Sequence, residues 1–186
     1  MKNIIALLTL GAVLAWSSAC SRTAEPEFRL TATIKDIMDS VVDPNADALW
    51  DSVEIDATVQ GVNRKQPTTD DDWKVLRRHA IALSEASNLL LMNGRHVAKP
   101  GEKAEDERVD LNPEEIEGRI NDDRPSWTKL AHGFQDASLA NMQAIEARDL
   151  TKFLDAGDTL DKACESCHRK YWYRVPPPVD AFSGQR

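Results

Sequence analysis

Apolar residues return every three or four positions through most of this chain, the spacing of one face of an α-helix, and no strand-like alternation is evident. The first such stretch, helix A, runs from about Leu30 to Val59. Ile34, Ile37, Met38, Val41 and Val42 share a face, Pro44 interrupts it, and Leu49, Trp50 and Val53 continue the stripe. Proline offers no N–H and clashes with the turn before it, so the spacing predicts a kink or restart at Asp43-Pro44, with Asp43 as the new cap. Gly61 to Thr68 reads as a turn-rich connection. Thr69 or Asp70 then caps helix B, and Asp70, Asp71 and Asp72 suit the positive end of its dipole. Trp73, Leu76, Ala80, Leu83, Ser87 and Leu90 mark its buried seam, and Asn93-Gly94 ends it.

Residues 95–124 form a long excursion. Pro100-Gly101 and the charged run to Asp110 look loose, while Asn112-Pro113-Glu114-Glu115 caps a short helix over 113–120. Thirty residues is long for a connection within a bundle. Helix C starts near Pro125 and turns Trp127, Leu130, Ala131, Phe134, Ala137, Ala140 and Ile145 inward. Asp149 caps helix D, whose inner face carries Phe153, Gly157, Leu160, Cys164, Cys167 and Tyr171, with Asp155, Asp158 and Asp161 directed away. Val175-Pro176-Pro177-Pro178 stops the helix and begins an extended tail, 175–186. The expected fold is all-α: an up-down four-helix bundle with its excursion between B and C.

The N-terminus stands apart from that bundle. Met1-Lys2-Asn3, an apolar run from Ile4 to Trp16, and Ser17-Ser18-Ala19 form a secretory signal over 1–19, too short to span a bilayer. Export to a periplasm is the expectation. Leu14 to Cys20 is similar to a bacterial lipobox, although Ser17 holds the place where leucine is usual. Two outcomes stay open: lipidation of Cys20, making 20–29 a membrane tether, or ordinary cleavage after Ala19. Loss of Lys2 with the signal turns a formal net charge of −8 into −9. That balance argues against nucleic acid and for solubility or a basic partner.

The chemistry lies near the other end, in Cys164-Glu165-Ser166-Cys167-His168. C-x-x-C-H is the attachment signature of a covalent c-type haem. Two thiols three positions apart on one helical turn can each add to a vinyl group, and the histidine that follows is held close enough to ligate the iron. Cys164 and Cys167 are thus the expected thioether cysteines of one haem, and His168 its proximal ligand. A thioredoxin-like pair would sit near a βαβ pattern, and a zinc site would need a second ligand pair. Neither is visible, and His79, His96 and His132 stand alone.

Four helices in series with C-x-x-C-H in the last resemble the class II c-type cytochromes, the cytochrome c′ family. The resemblance covers roughly residues 30–174 and includes Tyr171, three places after His168. The family pattern usually has arginine next. Here Trp172 takes that place and Arg174 follows two further on, so the chain departs from the family pattern at the basic group beside the proximal histidine. The resemblance implies one-electron transfer, or binding of nitric oxide or carbon monoxide where the sixth iron position is open. It also implies a distal residue from helix A. Met38 lies on that helix's apolar face, and two roles stay open for it, iron ligand or core packing. Met92, His96 and His132 belong to the same end of the bundle; Met142 and His79 belong to the far end. Trp50, Trp73 and Trp127 read as core, while Trp172 and Tyr173 serve either a partner or the tail. No nucleophile–base pair or paired carboxylates accompany the motif, so no enzyme is expected. The partner would be a redox protein, and a homodimer is a further expectation.

Overall fold

Pro44 shapes the first helix of this computed structural model, which describes residues 28–59 and 61–175. The expected signal 1–19, Cys20 with most of its tether, and the tail from Pro176 lie outside the described residues. Helix A is built from α1 (Ile34–Ile37), a π-helical turn (Met38–Val42) and α2 (Asp43–Trp50), joined without a break. The Thr33 hydroxyl accepts from the Asp36 N–H while the Asp36 carboxylate accepts from the Thr33 N–H, each at 3.0 Å. Pro44 has no N–H with which to continue the α pattern. The backbone widens just before it, so that the Asp43 N–H reaches the Met38 carbonyl. The Asn45 amide donates to the Val41 carbonyl at 2.6 Å. The expected kink is therefore a π turn inside a continuous helix, and Asp43 is a helical residue rather than a cap.

Helix A stops at Trp50, not Val59, and the hydroxyl of Ser52 donates to the Leu49 carbonyl at 2.6 Å as it ends. Beyond it β1 (Glu54–Thr58) pairs antiparallel with β2 (Gly61–Lys65), Glu54 opposite Lys65 and Thr58 opposite Gly61. Ile55, Ala57 and Val59 alternate with Glu54, Asp56 and Thr58, a period of two that also extends the apolar stripe of helix A. Gly61 has φ +142, a conformation that side-chain-bearing residues rarely adopt. The connection expected from Gly61 thus begins with a strand.

Helix B is α3 (Asp70–Leu91), opened by a capping box between Thr69 and Asp72. The excursion carries α4 (Pro113–Asp122), two residues longer than expected. Helix C is α5 (Arg124–Glu146) and helix D is α6 (Leu150–Tyr171), started by Asp123 and Asp149, whose carboxylates accept from the Ser126 and Lys152 N–H groups. The hairpin is an appendage; the body is an all-α bundle.

Helix A packs on B, B on C, and C on D. Among the described residues A and D are not one of the closely packed pairs, and their seam is closed at its two ends instead. At the far end the Trp50 indole N–H donates to the Gly157 carbonyl at 3.3 Å. At the other end the excursion ties both helices. The Ile34 and Lys35 N–H groups donate to the His96 and Val97 carbonyls, each at 2.9 Å. The Leu111 N–H donates to the Trp172 carbonyl at 2.9 Å, and the Arg174 N–H to the Val109 carbonyl at 2.7 Å. Backbone pairing across such gaps satisfies polar groups that would otherwise be stranded beside the core. No helix among the described residues is long and apolar enough to cross a membrane.

Candidate functional site

The A–D seam encloses a cavity of about 530 Å³, within the span of roughly 300–1,000 Å³ usual for cofactor and ligand sites. Helix D forms one wall with Cys164, Cys167 and His168. Helix A faces it with Met38, Val42, Ala46 and Trp50, and helices B and C close the back with Leu90, Trp127, Leu130, Ala131 and Phe134. Trp127 is fixed by an indole N–H bond to the Leu90 carbonyl at 3.2 Å and by an edge contact with Tyr171, centroids 5.3 Å apart.

Burial decides the charge state of the three motif side chains. It pushes both thiols up to about 12, so at neutral pH Cys164 and Cys167 are S–H groups. It also lowers His168, against the pull of the Glu165 and Asp110 carboxylates, and so favours a neutral imidazole with a free lone pair. Neither cysteine is in a disulfide. Two neutral thiols and a neutral imidazole on one wall, facing apolar side chains, fit the donor set of a c-type haem. Among the described residues no three His, Cys, Asp or Glu side chains gather to hold a bare metal ion, which leaves the thiol pair without the companions of a zinc site.

Met38 is half-buried and also borders a second cavity of about 240 Å³, together with His168, Asp110 and Trp172. The candidates Met92, His96 and His132 stand elsewhere, as do His79 and Met142, which the sequence put at the far end. His132 is exposed on α5, and His96 is exposed with its ring bonded to Glu117 at 2.9 Å. His79 bonds Asn45 at 2.8 Å. The Met92 sulfur accepts from Arg95 at 3.1 Å, and Met142 packs against the core. None of these five lines the larger cavity. Asp161, expected to point away, lines it instead. Four residues after Gly157 and three before Cys164, it shares their helical face; its charge suggested otherwise.

Around His168 the sequence reading placed Trp172 and Tyr173 but missed Glu165 and Asp110. Trp172 and Tyr173 sit with ring centroids 6.2 and 6.1 Å from the imidazole. The Tyr173 hydroxyl donates to Glu165 Oε2 at 3.1 Å. Arg174 turns away, donating to the Glu107 and Asp110 carbonyls at 3.0 and 3.3 Å and pairing with Glu115 at 3.2 Å. The polar groups that act on His168 are thus carboxylates. One signal was available, since Glu165 lies three residues before His168 on a helix.

No protein-family model matches the chain, and no curated protein does. One solved structure similar to it is the nitric oxide complex of a mutant cytochrome c prime from Alcaligenes xylosoxidans, at 21% identity and a TM-score of 0.47, with 77% of this chain and 98% of that one covered.

Proposed function

We propose that this chain is a c-type cytochrome of the cytochrome c′ kind, holding one covalent haem and carrying single electrons. The observation that supports it is the meeting of Cys164, Cys167 and His168 on one wall of an apolar cavity of cofactor size. When bound, haem supplies one-electron chemistry at its iron, tuned by axial ligand and burial. Cys164 and Cys167 would each add S–H across a vinyl double bond, sulfur to one carbon and hydrogen to the other. His168 would give its neutral ring nitrogen to the iron. Val42, Leu90, Phe134 and the two tryptophans exclude water, and Met38 is the candidate for the sixth position.

Asp39, Asp43 and Asp47 stand at four-residue intervals along helix A, and Asp43 and Asp47 edge the cavity. Burial and these two neighbours raise the Asp43 carboxyl above its ordinary range. This acidic rim suits a basic redox partner, and it repels nucleic acid. Association would slow as salt rises, and Asp47→Asn would weaken that dependence. Export to the periplasm, with Cys20 as a lipid anchor, completes the proposal; the mass of the N-terminal peptide tests it.

A second reading, binding of nitric oxide or carbon monoxide at an open sixth position, is favoured by Met38 bordering both cavities. Pyridine-haemochrome absorbance and haem staining of the denatured protein test the covalent group. Spin state by optical and EPR spectra separates the two readings. Loss of the stain on denaturation, with both thiols free, would overturn the haem assignment itself.

A further inference from the structure

Glu165 occupies an unusual place beside His168. The two stand at i and i+3 on α6, where side chains are neighbours. One carboxylate oxygen, Oε2, takes the Tyr173 hydroxyl bond. The other, Oε1, is buried and accepts no hydrogen bond, with the Arg169 guanidinium 3.6 Å away. A buried acceptor with no donor is costly, so such an atom calls for a partner. A histidine that ligates through one ring nitrogen has the complementary need, because its other N–H turns outward to a carboxylate, carbonyl or water. Both groups line the same cavity.

We propose that Glu165 is a positioning residue for the iron ligand: its Oε1 accepts the N–H of His168 that faces away from the iron, while Tyr173 holds the carboxylate in place. The inference rests on the haem reading above. A carboxylate on that N–H gives the imidazole more anionic character and makes it a stronger donor. The stronger donor favours ferric iron, which lowers the reduction potential. Asp110 is the other carboxylate acting on His168, but it arrives from the excursion and is placed by its backbone bridge to Tyr173. Glu165 is fixed on the same helix as the ligand.

The test uses the haem-loaded protein. Potentiometric titration compares wild type with Glu165→Gln, Tyr173→Phe and Asp110→Asn. The iron–histidine stretching band is read by resonance Raman in the ferrous Met38→Ala background, whose sixth position is open. Glu165→Gln is expected to raise the potential and lower the stretching frequency. Tyr173→Phe moves both the same way by less, and it keeps the test decisive if Glu165→Gln fails to fold. Asp110→Asn leaves the stretching band in place. Unchanged potential and band in Glu165→Gln at full haem content would overturn the inference, as would a larger band shift in Asp110→Asn. Absence of covalent haem from wild type, read by pyridine haemochrome, sinks the haem reading instead.

Discussion

The indole N–H of Trp50 reaches across the A–D seam to the carbonyl of Gly157 at 3.3 Å. This contact closes the cavity at the end away from His168. A Cβ built on Gly157 would meet Trp50 Cδ1 at 3.6 Å, an ordinary van der Waals distance. Gly157→Ala should therefore be accepted and, by removing a helix-interior glycine, should stabilise the protein by up to about 1 kcal/mol in urea unfolding. Gly157→Leu has no such room. It should displace the indole and lower the unfolding midpoint.

Met38 separates electron transfer from gas binding. As the sixth ligand, its thioether would make the resting protein low-spin and slow to take up carbon monoxide, and would raise the potential of a histidine-ligated haem. Met38→Ala would then give a high-spin iron that binds small ligands readily. A wild type that is already high-spin, with an unchanged spectrum in Met38→Ala, makes Met38 a packing residue.

Asp36 makes the start of helix A sensitive to acid. Bonds from the Thr33 backbone and from Lys99 and Thr33 side chains hold its carboxyl down at about 2, against an ordinary 3.8. Because the folded value is the lower one, its stabilising contribution is present above pH 3.8 and fades as pH falls through about 2. Asp36→Asn should be less stable than wild type at pH 7, with the gap closing across that window. Urea midpoints measured against pH check this. A gap that persists below pH 2 contradicts it.

Arg174 staples the excursion to the end of helix D through the Glu107 and Asp110 carbonyls and the Glu115 carboxylate. Arg174→Ala should speed amide hydrogen exchange over residues 107–111, while the amides of α3 and α5 keep their protection. Equal acceleration throughout the bundle would show that the staple supports the whole fold rather than this segment.

Helices B, C and D were legible because one apolar stripe serves each of them from cap to cap; Leu76, Leu83, Phe134 and Leu160 are all buried where helical spacing put them. The hairpin was hidden because Val53 and Val59 prolong the stripe of helix A at spacings that fit helix and strand alike. Sequence placed the thiols, the imidazole and Met38 at one end of the bundle, and the structure gathers them on one cavity. Asp161 misled because a carboxylate on an inner face looks wrong for a core, though it suits the rim of a cavity. Tyr173 was legible beside the haem motif, but its pairing with Asp110 was not. That pairing is a bridge between residues 63 positions apart, which no local pattern encodes.

The buried positions of helix A are Ile34, Ile37, Val42, Ala46 and Leu49, and the step from Ile37 to Val42 is five residues where the others are three or four. An α-helix turns about 100° per residue, so one surplus residue would swing the later part of the stripe a quarter-turn out of phase. The π turn absorbs that surplus and returns Ala46 and Leu49 to the side of Ile34 and Ile37. Helix A is thus a regular helix lengthened by one position, with the extra position spent beside Met38. A chain lacking Ser40 would keep both buried faces in phase but would set Pro44 into an α-helical turn with no widening to accommodate its ring.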